Sequence, residues 1–512
     1  VTRSYLAFRF GTTIDEGVNA RVHAAARALR QVAIPGVREI VPAYVGLAVE
    51  YDPRRASAAT IEAVARASLE HGEGDDGGAV TEVATVYDGA DLEEVARRTG
   101  LTPAGVASIH AGRTYRVFAL GFTPGFAFMA SVDPRIRLPR RAVPRLLVPP
   151  NALAMANEQT GVYPIASPGG WHLIGRTLSA PYDPWRSEPF LFTPGGRVRF
   201  VPAHGSTPAA PKVRPLLPVT PRLAALEVLR PGVRDLVVDA GRVGSAHLGL
   251  ARGGPLDPRA LREANQHVGN ADAAAGLEMA LSGPRCRVLR DTVIGVGGSA
   301  LRVLVDGRER DTSRPIALRR GAELRFEPTG AEVLSYLALP GGIEGIVWGG
   351  SVGVDVRASL GRPLERGDVL GQRSHAPSRS GLRVVARQER WPERVTVRLL
   401  AGPQATREAL EVLDGATFQV SAADRMGVRL EGPEVPGGEL ISEPTELGAV
   451  QVTTGGAPIV LLNDRGSLGG YAKPAIVHPD DLATLAQLPV GASIRTRVMW
   501  DADPIYQAVA LD

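Results

Sequence analysis

Ser167-Pro168-Gly169-Gly170-Trp171 is followed by Thr193-Pro194-Gly195-Gly196-Arg197-Val198-Arg199-Phe200, and Leu339-Pro340-Gly341-Gly342-Ile343 is followed in the same way by Glu365-Arg366-Gly367-Asp368-Val369-Leu370. From Gly170 to Gly195 and from Gly342 to Gly367 the step is 25 residues. A third copy, Gly469-Gly470-Tyr471, precedes Pro489-Val490-Gly491-Ala492-Ser493-Ile494-Arg495 with a step of 21 from Gly470 to Gly491. Paired glycines let backbone bend or approach another chain closely, and a turn glycine ahead of aliphatic residues opens a strand. The repeat predicts three related β-barrels on one chain.

Composition frames that reading. At 512 residues the chain exceeds one core and is expected to form three or four domains. Glycine and proline are abundant (59 and 41), aromatics make up 5%, and valine-rich runs alternate with turn signals, so the class is mainly β. The pI of about 9.4 comes with a net charge of only +4 and scattered basic residues, which points to solvated surface and not to nucleic acid. One cysteine, Cys286, excludes an internal disulfide and a cysteine-rich zinc site and reads as a buried, inert thiol. No apolar run has the length of a signal peptide core or a membrane span, and a cytoplasmic location is expected.

The N-terminal pattern is β-α-β-β-α-β, with strands at 4–10, 37–41, 45–51 and 80–87 and helices from Asp15 and over 58–69, the order of a ferredoxin-like α+β domain. Helices follow at 91–98 and 102–110, the second opened by Pro103. The expected organisation is a ferredoxin-like domain over 1–80, a barrel over 81–205, a Pro-rich linker over 206–226, and barrels over 227–385 and 386–512.

Candidate site residues fall in several places. Gly121-Phe122-Thr123-Pro124-Gly125-Phe126 is a rigid apolar turn, followed by Arg137, Arg140, Arg141 and Arg145 among prolines. Such turns hold arginines ready for two-pronged binding of carboxylate or phosphate; the alternative is a solvated barrel rim. Asp239 ends an apolar strand beside Gly241-Arg242, and Asp464 does the same after Leu461-Leu462-Asn463, so each carboxylate is a candidate base or Mg²⁺ ligand. The chain has only two lysines. Lys212 lies in the linker, which leaves Lys473, beside Gly469-Gly470-Tyr471, as the candidate catalytic amine; the alternative is an ion pair. Asp257 caps a helix begun by Pro258 and turns Asn265 inward, either as a tie from helix to barrel or toward a ligand, while Asn270 is a candidate left-handed turn residue. His247 is the best placed acid-base histidine; His110 and His172 fall in matching segments, and His23, His71 and His375 read as surface. No histidines pair at metal-ligand spacing, so no metal site is expected.

These residues carry a family resemblance. Residues 1 to about 202 resemble the KipI, or allophanate hydrolase subunit 1, family through Ile40-Val41-Pro42-Ala43-Tyr44, the 121–126 turn, Leu138-Pro139-Arg140-Arg141, Pro144-Arg145 and Ser167 to Thr177. From about Val228 the chain is similar to the KipA, or allophanate hydrolase subunit 2, family through Asp239-Ala240-Gly241-Arg242, Gly254-Pro255-Leu256-Asp257, Ala264-Asn265, Val268-Gly269-Asn270, Leu277-Glu278, Asp424-Arg425-Met426-Gly427 and Gly469-Gly470-Tyr471. The resemblance implies cyclophilin-like barrels, two of them in the second half. It implies either the B and C components of an ATP-dependent 5-oxoprolinase, with Mg²⁺-ATP, a small lactam or amide and a separate A component of the LamB/YcsF type, or the carboxyltransferase part of a biotin-dependent urea carboxylase. A histidine-kinase-binding regulator is the third reading, and self-association into a homo-oligomer is left open. No Met-Lys context for biotin attachment occurs. Binding residues implied are Pro124, Gly125, Phe126, Arg140, Arg141, Gly169, Gly170, Trp171, Arg176, Arg242, Asp257, Asn265, Asn270, Glu278, Arg425, Gly469, Gly470 and Tyr471, with Asp239, Asp464, Lys473 and His247 as catalytic candidates. The chain departs from the family pattern at Val238, at Gly466-Ser467-Leu468 and at Gly350-Ser351-Val352-Gly353, each time losing polar side chains.

Overall fold

In the computed structural model the described residues are 3–70, 79–330, 332–375 and 395–511. His71 and the boundary at 385/386 lie outside them.

The repeat resolves into two closed rings and one more open unit. In the first ring the strands Val80–Val86, Arg197–Pro202, Thr114–Leu120, Ala127–Ala130, Gln159–Val162, Ala152–Ala156 and His172–Thr177 follow one another around the barrel. The last unit closes with the same wiring through Val395–Ala401, Ser493–Val498, Thr417–Ala423, Gly427–Glu431, Pro458–Leu461, Ala449–Val452 and Leu468–Val477. In both rings the strand that ends the barrel sequence runs parallel to its first strand and antiparallel to the strand on its other side. Between them, residues 224–371 form facing sheets of six and five strands, and their core is continuous with that of the last ring.

The second glycine of each repeat explains this economy. Gly195, Gly367 and Gly491 have φ of 82°, 92° and 91°, left-handed turns that a side chain would strain. Each leads into the strand that follows it, Arg197–Pro202, Val369–Gly371 or Ser493–Val498. In the last of these, Ile494, Thr496 and Val498 are buried while Ser493, Arg495 and Arg497 face water, the period-two pattern of a half-buried strand.

The N-terminal sheet differs from expectation at one edge. Its order is Val37–Pro42, Gly46–Tyr51, Ser4–Arg9 and then Tyr506–Ala510, the C-terminal strand, which runs parallel to Ser4–Arg9. The strand at 80–86, read from sequence as the fourth ferredoxin-like strand, pairs with Arg197–Pro202 in the first barrel instead. Hydrophobic alternation fixes which face of a strand is buried but not which neighbour it finds. Helix Glu16–Val32 is capped by Asp15, which accepts from Val18 N at 2.9 Å, and buries Val22, Ala25, Ala26 and Leu29 as its spacing predicts. It also buries His23, expected at the surface, because the helix packs on the first barrel: His23 Nε2 and Asn19 Nδ2 both bond Phe118 O. Burial pushes the His23 pKa down to about 3, so the ring is neutral. Cys286 is fully buried, as expected.

Candidate functional site

The first and last barrels face each other across a cavity of about 520 Å³, within the range of small-molecule sites. The first barrel supplies an aromatic wall. Phe126 packs edge-on against Phe128, Tyr163 and Trp171, with ring centroids 4.7, 5.1 and 5.6 Å away. Arg140, Gly169 and Gly170 complete that side. The last barrel contributes Gly469, Gly470 and Tyr471 from its long strand, with Arg429, Gln451 and Leu461. Arg357 reaches in from the middle unit and ties the walls together, donating to Asp464 O and Phe122 O at 3.2 Å each.

The turn at 121–126 is held against the second half. Gly125, at φ 74°, donates to Leu248 O at 3.1 Å. Gly249 approaches so closely that a Cβ there would stand 2.5 Å from Thr123 O. Pro124 is buried within this joint and does not line the cavity. Leu468, which replaces a polar residue of the family pattern, packs against Gly121 at the cavity edge.

Several sequence candidates have other duties. Arg141 and Arg145 both pair with Asp91, at 2.9 and 2.6 Å, and Asp91 also accepts from Leu173 N. These contacts pin the ribbon of Arg145–Val148 and Ser167–Gly169. Arg176 bonds Asp88, Gly205 O and Thr207 outside the cavity. His247 bonds Gly244 O, and burial lowers its pKa to about 4, leaving it neutral at pH 7. Asp239 accepts from Gly241 N, Val352 N and Ser351 Oγ, bonds that secure its loop. Arg242, on that loop, donates to Gly353 O and lies over the Trp348 ring.

Asp464 and Lys473, although joined by one glycine loop, have separate partners. Asp464 receives two bonds from Arg425, at 2.8 and 3.0 Å. Arg425 in turn reaches Glu278, which accepts from Tyr336 Oη and Leu256 N. Tyr336 accepts from the backbone of Asp257, whose carboxylate caps helix Pro258–His267 and receives Gln487. This chain of buried polar groups fastens the middle unit to the last barrel. Burial alone would raise the Glu278 pKa; Arg425 and its other donors outweigh that and hold it low.

Lys473 is 1% exposed, bonded to Pro444 O and paired with Glu443 at 3.0 Å and Glu446 at 3.1 Å. Burial would lower its pKa, but Glu446 and Glu443 outweigh that and raise it. A charged ammonium with three acceptors carries no lone pair for nucleophilic work. Asn265 bonds Asp272 O, Ala274 O and Asn270, and Asn270 bonds Leu339 O and Gly341 N, so both tie loops to the barrel. The left-handed residue there is Gly269, at φ 72°, not Asn270.

The sequence reading missed Arg357, Arg429, Gln451 and Asp355. Arg429 lies two residues past the Asp424-Arg425-Met426-Gly427 motif and Gln451 on a strand with no motif around it, and only their outward position in an alternating strand could have drawn attention. Asp355 is fully buried and faces Asp464; desolvation, then that neighbour, raises its pKa to about 6. Among the described residues no cluster of three or more His, Cys, Asp or Glu could hold a metal ion, and no helix is long and apolar enough to cross a membrane.

Residues 1–192 match the family described as carboxyltransferase domain, subdomain C and D, and residues 248–497 match carboxyltransferase domain, subdomain A and B. The 5-oxoprolinase B subunit of Bacillus subtilis (strain 168) is 37% identical over 222 residues, 39% of this chain and 89% of that protein. The 5-oxoprolinase C subunit of Escherichia coli (strain K12) is 32% identical over 281 residues, 52% of this chain and 89% of that one. The chain belongs to the carboxyltransferase-domain family. Its B-like half precedes its C-like half in one polypeptide, as the resemblance implied. The crystal structure of TTHA0988 is 48% identical and aligns over 97% of this chain and 100% of that one with a TM-score of 0.92. The aromatic wall of the cavity therefore belongs to the B-like half, and the Gly469-Gly470-Tyr471 wall to the C-like half.

Proposed function

We propose that this chain is the fused B and C component of an ATP-dependent 5-oxoprolinase, which activates a lactam or small amide for hydrolysis together with a separate A component of the LamB/YcsF type. The observation that carries this reading is the shared cavity: neither half encloses it alone. Its aromatic wall suits a flat five-membered ring, and its arginines suit a carboxylate or phosphate. The residues fit an anionic nucleotide tail better than a dedicated metal cage. Mg²⁺ commonly keeps its waters and is held through substrate phosphates, and Asp424 is the one carboxylate on the lining among the described residues. ATP, when bound, supplies the phosphoryl group that makes the amide carbon a better electrophile. Arg140 and Arg429 would hold the anionic groups, and the aromatic wall would exclude water from them.

The family description supports a second reading, carboxyl transfer from carboxybiotin carried on another protein to a urea-type nitrogen in the same cavity. The deciding experiment is ATP hydrolysis with Mg²⁺ and 5-oxoproline, with and without the LamB/YcsF-type partner. ADP and glutamate formation that requires both proteins is the expected result. Absence of turnover in every combination, with carboxyl transfer from carboxybiotin, would replace the first reading with the second. Stoichiometric capture of a histidine kinase would favour a regulator.

A further inference from the structure

We propose that Arg140 of the first barrel and Arg429 of the last form a two-walled anion clamp, with Gln451 beside it reading an amide, so that the cavity selects a small amide or lactam that carries a carboxylate. The inference rests on the reading of this cavity as the substrate site.

The charges around the cavity single out these two arginines. Among the described residues four arginines and one aspartate line it. Arg465 donates to Thr445 O, and its charge faces Glu50 and Glu446. Arg357 donates to two backbone carbonyls, and its charge faces Asp355. Asp424 turns its Oδ1 back onto Met426 N and Gly427 N. Arg140 and Arg429 have no carboxylate partner among the described residues, although their neighbours do: Arg141 has Asp91, and Arg425 has Asp464 and Glu278. Two uncompensated guanidinium groups, one from each half, leave the cavity positive where the halves meet. An anion held between them makes charge-assisted, two-pronged bonds to both barrels at once.

Gln451 adds the amide reading. Its side chain has no hydrogen-bond partner among the described residues, and its Nε2 lies against Gly469, 2.5 Å from where a Cβ would stand. Glycine at 469 is thus the space that lets the amide enter the cavity. A primary amide presents one acceptor and two donors, so it can bond both the N–H and the C=O of a lactam edge. The aromatic wall opposite would cover the apolar face of the ring.

The test is calorimetric titration of the full chain, with and without a non-hydrolysable ATP analogue and Mg²⁺, against 5-oxoproline, its uncharged carboxamide and 2-pyrrolidinone. Loss of a charge-assisted bond corresponds to about ten- to hundredfold in affinity. The wild type should therefore prefer 5-oxoproline over the carboxamide by at least about tenfold. R140Q and R429Q should each erase that preference while binding 2-pyrrolidinone as the wild type does, and R140K and R429K should recover part of it. Q451L should weaken all three ligands alike, and thermal melts should match the wild type throughout. A wild type that binds none of the three, or variants that keep the preference, overturns the clamp. If the clamp behaves as described but no combination with the LamB/YcsF-type partner hydrolyses ATP, the oxoprolinase reading fails and the clamp stands. Wild-type kcat/KM in R429Q with active enzyme would do the reverse.

Discussion

Replacing Lys473 with methionine separates a structural ammonium from a chemical one. The side chain is 1% exposed, and its ammonium stands 3.1 Å from Glu446, itself 3% exposed, with Glu443 sharing the contact and the Arg465 charge acting on Glu446 from farther off. Methionine fills similar volume but removes the ion-pair partner of a buried carboxylate, a change that typically costs about 3–5 kcal/mol. The middle unit and last barrel share one core, and for a cooperative unit of that size each kcal/mol moves the melting temperature by roughly 2–4 °C. K473M should therefore melt roughly 6–20 °C lower. Glu446 should respond by taking a proton, so K473M/E446Q should recover most of the loss, because a neutral pair needs no counter-charge. The assay is a thermal melt of the three proteins, combined with hydrogen exchange over Leu468–Val477, the strand that carries the lysine. If K473M melts within about 1 °C of the wild type yet abolishes ATP turnover, the lysine acts on substrate and the structural account is wrong.

Further outcomes follow from other buried groups. R425M, by orphaning Asp464 and Glu278 together, should destabilise by at least about 3 kcal/mol and loosen the middle unit from the last barrel, read as faster hydrogen exchange over Gly276–Ala280 and Pro458–Leu461. Asp235 is buried with a bond from Gly232 N, and desolvation raises its pKa to about 7. Its unfolded-state value is lower, so stability contributed by this group falls as pH rises from about 4 to about 7, by about 4 kcal/mol at most. D235N should flatten that decline and raise the melting temperature at pH 7. G249A, with φ of 81° and a Cβ 2.5 Å from Thr123 O, should cost about 2–4 kcal/mol and lower affinity for cavity ligands by shifting the 121–126 turn.

The glycine repeat was legible because its chemistry is local. A left-handed turn ahead of a strand favours glycine wherever it occurs, so the same turn into a strand, made three times, leaves a recurring glycine pattern with steps of 25, 25 and 21 residues. The wiring of the middle unit and the parallel docking of Tyr506–Ala510 on Ser4–Arg9 were not legible, since both are choices of partner between strands of similar pattern. At the site, residues inside motifs were found whether they meet the cavity, like Trp171 and Gly470, or hold the scaffold, like Asn265 and Asp257. A motif records that a residue type is needed, not whether a ligand or a neighbouring loop needs it. Lys473 shows this most plainly: scarcity singled it out as chemical, and the structure surrounds its ammonium with Pro444 O, Glu443 and Glu446.

The contacts between the halves give a physical reason for their being one chain. The C-terminal strand completes the N-terminal sheet, the 246–249 loop of the second half buttresses the 121–126 turn of the first, and Arg357 bonds backbone from both barrels. Each contact joins residues more than 100 positions apart, so each costs chain entropy when formed between separate molecules and less when formed within one. Linking the halves raises the effective concentration of one wall of the cavity beside the other without adding a contact. A site whose anion clamp draws one arginine from each wall gains most from that linkage, because its affinity depends on both walls being present together.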